Sequence, residues 1–105
     1  MIDLERTFQA LANPTRRAII VQLTSGATPV NDLAMAQDMS LPGLLDQLQV
    51  LEECGLIKIV KTGRVNICHL NSDTMTAAQD WLGAQHQNWR DNLDQFAKSM
   101  MEDLA

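Results

Sequence analysis

An apolar stripe in the last third of the chain limits its folding options more than any other feature. Met75, Ala78, Leu82, Trp89, Leu93, Phe96, Met100 and Leu104 follow one another at steps of 3, 4, 7, 4, 3, 4 and 4. That near-heptad spacing puts them on one face of a single helix, expected over residues 73–104. Such a helix is far longer than the mean of about 11–12 residues in globular proteins. A chain of 105 residues is expected to form one domain, 1–105, with a modest core. It has too little surface of its own to cover the stripe, so the economical expectation is a symmetric homodimer in which this helix packs on its mate. Residues 3–12, DLERTFQALA, place Leu4, Phe8, Leu11 and Ala12 on one face of a first helix that would join the same contact. The dimer interface is therefore assigned to Leu4, Phe8, Trp81, Leu82, Trp89, Leu93, Phe96 and Met100. His86 falls mid-stripe and reads as an interface histidine. Asp80 and His86 are six apart, on different helix faces, and make no metal site.

Ahead of that helix the chain reads as short helices followed by a hairpin. Asn13-Pro14 breaks and restarts the helix, with Asn as cap and Pro at the first helical position. The second helix turns Ala18, Ile19, Ile20 and Leu23 inward. Arg16 and Arg17 sit in its first turn, against the dipole, and are expected to pair with Asp3 or Glu5 rather than with phosphate. Ser25-Gly26 ends this helix, and Thr28-Pro29 is expected to open a third through about Gln37, with Val30, Leu33 and Ala34 inward.

A turn of a few residues then leads to MSLPGLLDQLQVLEECGL. Ser40 caps, Pro42 lies just inside, and Gly55 supplies the stop. Leu41, Leu44, Leu48 and Leu51 form the inward stripe, leaving Gly43, Asp46, Gln47 and Gln49 on or near the outer face with Leu45 beside them. Residues 57–70, IKIVKTGRVNICHL, alternate around Thr62-Gly63-Arg64. A turn centred on Gly63 and Arg64 puts Ile57, Ile59, Cys68 and Leu70 on one face, and Lys58, Val60, Ile67 and His69 on the other. The expectation is a mainly α fold with one β-hairpin: a winged helix-turn-helix of five helices, with the helix-turn-helix at about 29–54 and the wing at 57–70, dimerising through its first and last helices.

Charge complicates a nucleic-acid partner, because the chain has 8 basic and 13 acidic residues, a net −5. The distribution is polarised, however. Arg16, Arg17, Lys58, Lys61 and Arg64 all precede residue 65, whereas the tail carries Asp73, Asp80, Asp91, Asp94, Glu102 and Asp103 against Arg90 and Lys98. No apolar run approaches the ~18 residues of a membrane span, and nothing reads as a signal peptide, so no membrane partner and a cytoplasmic location are expected. His69 and His86 have no partnered nucleophile or base at a suggestive spacing, which argues against an enzyme; no cofactor or metal is implied. Cys54 and Cys68 form no CxxC pair. They read as two small buried apolar side chains, with a redox pair as the sharper alternative, requiring Cα atoms within about 7 Å.

The stretch LANPTRRAIIVQL (Leu11 to Leu23) resembles the opening of the ArsR family of winged-helix repressors. So do Asp32 to Ile57, the wing KTGRVNICHLN and the tail WLGAQHQNWRDNLDQF, so that the likeness spans nearly the whole chain in family order. It looks closest to the branch without metal-binding cysteines. The resemblance implies a cytoplasmic homodimeric repressor whose recognition helix enters the major groove of a palindromic operator while the wing touches the backbone. Two departures stand out. The cysteine positions of the metal-sensing branch are Pro29 and Asn31 here, which removes thiolate chemistry at that site. The head that usually reads small residue, Val, Ser, basic or polar residue, His is Gly43, Leu44, Leu45, Asp46, Gln47.

The DNA-binding residues are assigned as Ser40, Gly43, Leu45, Asp46, Gln47, Gln49, Lys61 and Arg64. Gln47 and Gln49 suit adenine, Leu45 a thymine methyl, and Asp46 a cytosine amine. The rival expectation is a relative impaired in DNA binding that acts by dimerising with another regulator, favoured by Leu45, Asp46 and the net acidity.

Overall fold

The computed structural model describes residues 1–104. α1 (Leu4–Leu11) is capped by Asp3, whose carboxylate accepts from the Arg6 N–H. α2 (Pro14–Leu23) follows at once. Asn13 Oδ1 accepts from the backbone N–H groups of Thr15 and Arg16 at 2.9 and 3.1 Å, and Pro14 sits where its missing donor costs nothing. β1 (Thr28–Pro29) leads directly into α3 (Val30–Ala36), and α4 (Leu41–Glu53) comes after a tight turn. β2 (Ile57–Thr62), β3 (Val65–Leu70) and the long α5 (Ser72–Asp103) complete the order. The sheet is antiparallel, ordered β1-β3-β2. Five helices with a hairpin after the second helix of a helix-turn-helix make a winged helix-turn-helix.

α3 and α4 end in the same way. After α3, the Asp38 and Met39 N–H groups donate to Met35 and Ala34 carbonyls; after α4, Gly55 and Leu56 donate to Glu52 and Leu51. Each is a Schellman ending, with its left-handed residue at Asp38 (φ 52°) and Gly55 (φ 82°). Aspartate is one of the few side chains that tolerates this conformation, and here it lets α3 turn into α4 within a few residues. The α4 stripe then meets the core: Leu44, Leu48 and Leu51 are fully buried with Ile19, Leu33 and Leu56.

Four sequence expectations are corrected. Leu41 is 41% exposed, because it lies in the first turn of α4, beside a surface groove and short of the core that Leu44 reaches. Thr28-Pro29 does lead into the third helix, with Pro29 at its N-cap, but the pair itself is an edge strand against Cys68 and Ile67 of β3, where a proline lacking a donor is tolerated. On α1, Thr7 and Ala10 take the core side, Leu4, Phe8 and Leu11 are half-buried, and Ala12 is exposed beyond the helix end. The Thr7 hydroxyl hides its polarity by donating to the Asp3 carbonyl at 2.8 Å. Ala18 is only half-buried, while Ile19, Ile20 and Leu23 carry the inner face of α2.

α5 begins against the domain and then leaves it. Thr74 is buried and its hydroxyl donates to the Gly55 carbonyl at 2.7 Å, fixing the first turn to the corner between α4 and β2. Ala78 is buried too, but every residue from Gln79 to Leu104 is exposed, and the chain measures 72 × 28 × 22 Å. We predict that Leu48→Ala lowers stability by about 2–5 kcal/mol while Leu45→Ala changes it by about 0.5 kcal/mol or less. Urea midpoints at constant slope would measure both.

Candidate nucleic-acid interface

The outer side of α4 and the wing tip open onto one surface. Leu41 and Leu45 from α4, Asn31 from α3, and Arg64, Val65 and Asn66 from the wing line a single shallow groove with Pro29 and Val30. Ser40 Oγ accepts from the Gly43 N–H at 3.2 Å, and a Cβ at Gly43 would come within 3.0 Å of that oxygen. Glycine at 43 therefore keeps the cap of α4 uncrowded. Leu45, Asp46 and Gln49 are exposed, and the Gln49 amide donates to the Glu53 carboxylate at 3.2 Å. The wing turn holds two residues, Gly63 at φ 64° and Arg64 at negative φ, between the closing pair Thr62 and Val65. Glycine first with φ positive is the II′ pattern, whose twist matches that of the flanking strands. Lys61 and Arg64 stand exposed at this tip. Glu52 fastens wing to helix, its carboxylate accepting from the Ile59 N–H at 3.2 Å.

Gln47 departs from its expected place. It is half-buried on the α2 side of α4, where its Oε1 accepts from Arg16 Nη1 at 3.0 Å. Nor do Arg16 and Arg17 pair with carboxylates. Arg16 Nε donates to the Ala10 carbonyl at 2.7 Å, Nη2 to Gln9 at 3.2 Å, and Arg17 Nη1 donates to Leu11 at 2.8 Å. The reason lies in the chain's geometry. The start of α2 abuts the end of α1, whose last carbonyls have no i+4 helical partner, that of Gln9 accepting instead from the Ala12 N–H of the cap, and carry the negative end of a dipole. Asp3 meets Arg6 instead, at 3.7 Å. Sequence reasoning assigned no link between Arg16 and Gln47; they are 31 residues apart and only the packing of α2 on α4 joins them.

The two thiols are free and buried. Cys54 Sγ donates to the Leu51 carbonyl at 3.3 Å. Burial, with the Glu52 carboxylate adding to it, pushes the Cys68 thiol from 9.0 up to about 11. Cys68 thus keeps its proton, and its low nucleophilicity, at neutral pH. Among the described residues no three His, Cys, Asp or Glu side chains come together in a way that could hold a metal ion. Among the described residues no helix is long and apolar enough to cross a membrane.

Three of the side chains assigned to the interface, Phe8, Trp81 and Leu82, come together where α1 meets α5. Phe8 of α1 meets Trp81 of α5 edge-on, ring centroids 5.9 Å apart and planes at 61°. Phe8, Leu11, Met75, Ala78, Leu82 and His86 line an apolar trough between the two helices. Further along, Trp89, Leu93, Phe96 and Met100 are 62%, 46%, 65% and 52% exposed. These four apolar side chains lie uncovered along one helix.

A family model described as bacterial regulatory protein, arsR family, matches residues 13–58. The HTH-type transcriptional regulator NmtR of Mycobacterium tuberculosis is 45% identical over 58 residues, 55% of this chain and 48% of that protein. The chain therefore aligns with about half the length of that relative. The crystal structure of an ArsR family transcriptional regulator superposes with a TM-score of 0.76 at 40% identity, covering 83% of this chain and 96% of that one. The solution structure of a homodimeric winged helix-turn-helix DNA-binding domain from Mycobacterium bovis superposes with a TM-score of 0.67 at 26% identity, over 80% and 81% of the two chains.

Because its folded thiol ionises later than a free one, Cys68 contributes stability that is complete below pH 9 and is lost as pH rises toward 11. We predict that between those values the wild type loses more stability than Cys68→Ala does. Urea midpoints at pH 7, 9 and 10.5 for the two chains would show the difference.

Proposed function

We propose, from the premise that this chain belongs to the ArsR family of bacterial regulatory proteins, that it is a homodimeric transcriptional repressor that binds a palindromic DNA operator in the cytoplasm. The observation that carries the reading is the shared groove: the exposed first turns of α4 and the basic wing tip face the same side. A helix presenting that end to the major groove lets the adjoining wing lie along a phosphate backbone. Ser40, Gly43, Leu45, Asp46, Gln47 and Gln49 form the reading head, and Lys61 and Arg64 hold the backbone. The protein acts by binding and catalyses nothing.

Dimerisation is supported by the uncovered strip on α5. An isolated helix is marginal in water, and one that stands off its own domain with Trp89, Leu93 and Phe96 exposed gains most of its stability from a mate. Two copies joined through α1 and α5 carry two heads to one duplex, which matches a two-fold operator. Affinity is modest by this account. An Asp46 carboxylate ~6 Å from a phosphate costs about 2–3 kcal/mol at an effective dielectric of ~20, before salt screening. Two or three phosphate contacts per protomer neutralise about 4–6 charges and set a log–log salt slope near −4 to −5.

Fluorescence-anisotropy titration of duplexes from the protein's own promoter region, at two salt concentrations, tests the proposal. We predict salt-sensitive, sequence-preferring binding, and for Arg64→Ala a slope smaller by about 2 per dimer with the base preferences unchanged. Salt-insensitive or absent binding to every upstream fragment would turn the assignment toward a protein–protein module. We also predict that Leu93→Asp yields a folded monomer in sedimentation velocity at micromolar concentration, with its DNA affinity lost.

A further inference from the structure

We propose that Arg16 is a positioning residue that orients the Gln47 amide, so that the reading helix offers a hydrogen-bond donor selective for guanine. The inference rests on the DNA-binding reading above and extends it to base choice. A guanidinium has five N–H donors and no acceptor, so it can meet a glutamine only through the carbonyl oxygen. The contact of Arg16 Nη1 with Gln47 Oε1 at 3.0 Å therefore settles which end of the amide faces α2, and the Nε2 hydrogens are left for other partners. Arg16 is itself held. Its Nε and Nη2 are bound to the Ala10 and Gln9 carbonyls at 2.7 and 3.2 Å, in the last turn of α1. Three anchored donors on a half-buried side chain leave the guanidinium little freedom to swing away.

The chemical consequence is specific. A free glutamine reads adenine in the major groove by accepting from N6 and donating to N7 at once. With its oxygen turned toward α2 and held there by Arg16, Gln47 presents the donating half of that pair to a base. Adenine then places its own N6 donor against an amide donor, whereas guanine presents two adjacent acceptors, O6 and N7. Guanine is the base that satisfies the amide best. Gln47 lies in the N-terminal half of α4 (Leu41–Glu53), the part of a recognition helix that contacts base edges. This revises the adenine pairing expected from the residue type alone.

Selection of binding sites from random duplexes, followed by titration of single-base variants of the selected site, tests the idea with three chains. The wild type is expected to select guanine at one position in each half-site. Arg16→Met keeps an apolar stem but no donors, and is expected to move the preference at that position toward adenine. Gln47→Glu gives Arg16 a carboxylate to hold while removing the donor, and is expected to weaken the guanine site about tenfold or more and to favour cytosine there. An Arg16→Met chain with wild-type circular dichroism and sedimentation that still selects the wild-type base would overturn the role of Arg16. If Arg16→Met fails to fold, Gln47→Glu decides: unchanged base preference overturns the proposal and a switch to cytosine supports it. A wild type that selects no sequence at all would remove the DNA-binding reading and this proposal with it, which is a different result from variants that keep the wild-type preference.

Discussion

Leu44, Leu48 and Leu51, buried together along one side of α4, are the contact on which the reading unit depends. They key a polar, exposed helix into a core shared with Ile19 of α2, Leu33 of α3 and Leu56 at the entry to the wing. Burying three leucines in this way is worth several kcal/mol, and each turn of α4 is committed to one rotation about its axis. The face that carries Leu45, Asp46 and Gln49 is outward because the opposite face has no other place to go. Glu52 then carries the same rotation into the wing through the Ile59 N–H, so helix and hairpin hold a common orientation.

Much of this was legible in the residues. The caps at Asn13 and Ser40, the stop at Gly55 and the pairing Ile57 to Leu70 across a Gly63-Arg64 turn follow from local rules that act within a few residues. What escaped depends on contacts between distant segments. Nothing in Thr28-Pro29 announces a strand until β3 lies beside it. Thr7 looks polar, yet its hydroxyl is satisfied by its own helix and its methyl is free to enter the core. The spacing points Gln47 outward, but a 3.6-residue repeat gives only an angle, and at that angle stands Arg16. Asp38 at positive φ is likewise invisible to a rule that looks for glycine at helix ends.

Electrostatically the molecule is an acidic chain with a small basic edge. At net −5 its long-range field repels a polyanion, so on the proposed reading Lys61 and Arg64 would act only at short range, within about a Debye length of ~8–10 Å. Arg16 and Arg17, which a count of basic residues would add to that edge, are consumed by the carbonyls of α1. On the proposed reading, discrimination between sequences falls to a few groups on α4, and the poise of each one matters more than the total charge.

The distance that α5 runs past its own domain has a consequence for control by abundance. Its outer turns have no neighbours within the chain, and on the proposed pairing they acquire them only from a second chain. Helix order in that half, protection from proteases and the yoking of the two heads would all rise together with the fraction of chains that are paired, and so with subunit concentration. A cell could then change the occupancy of an operator by altering how fast this polypeptide is made or destroyed, with no bound signal molecule required.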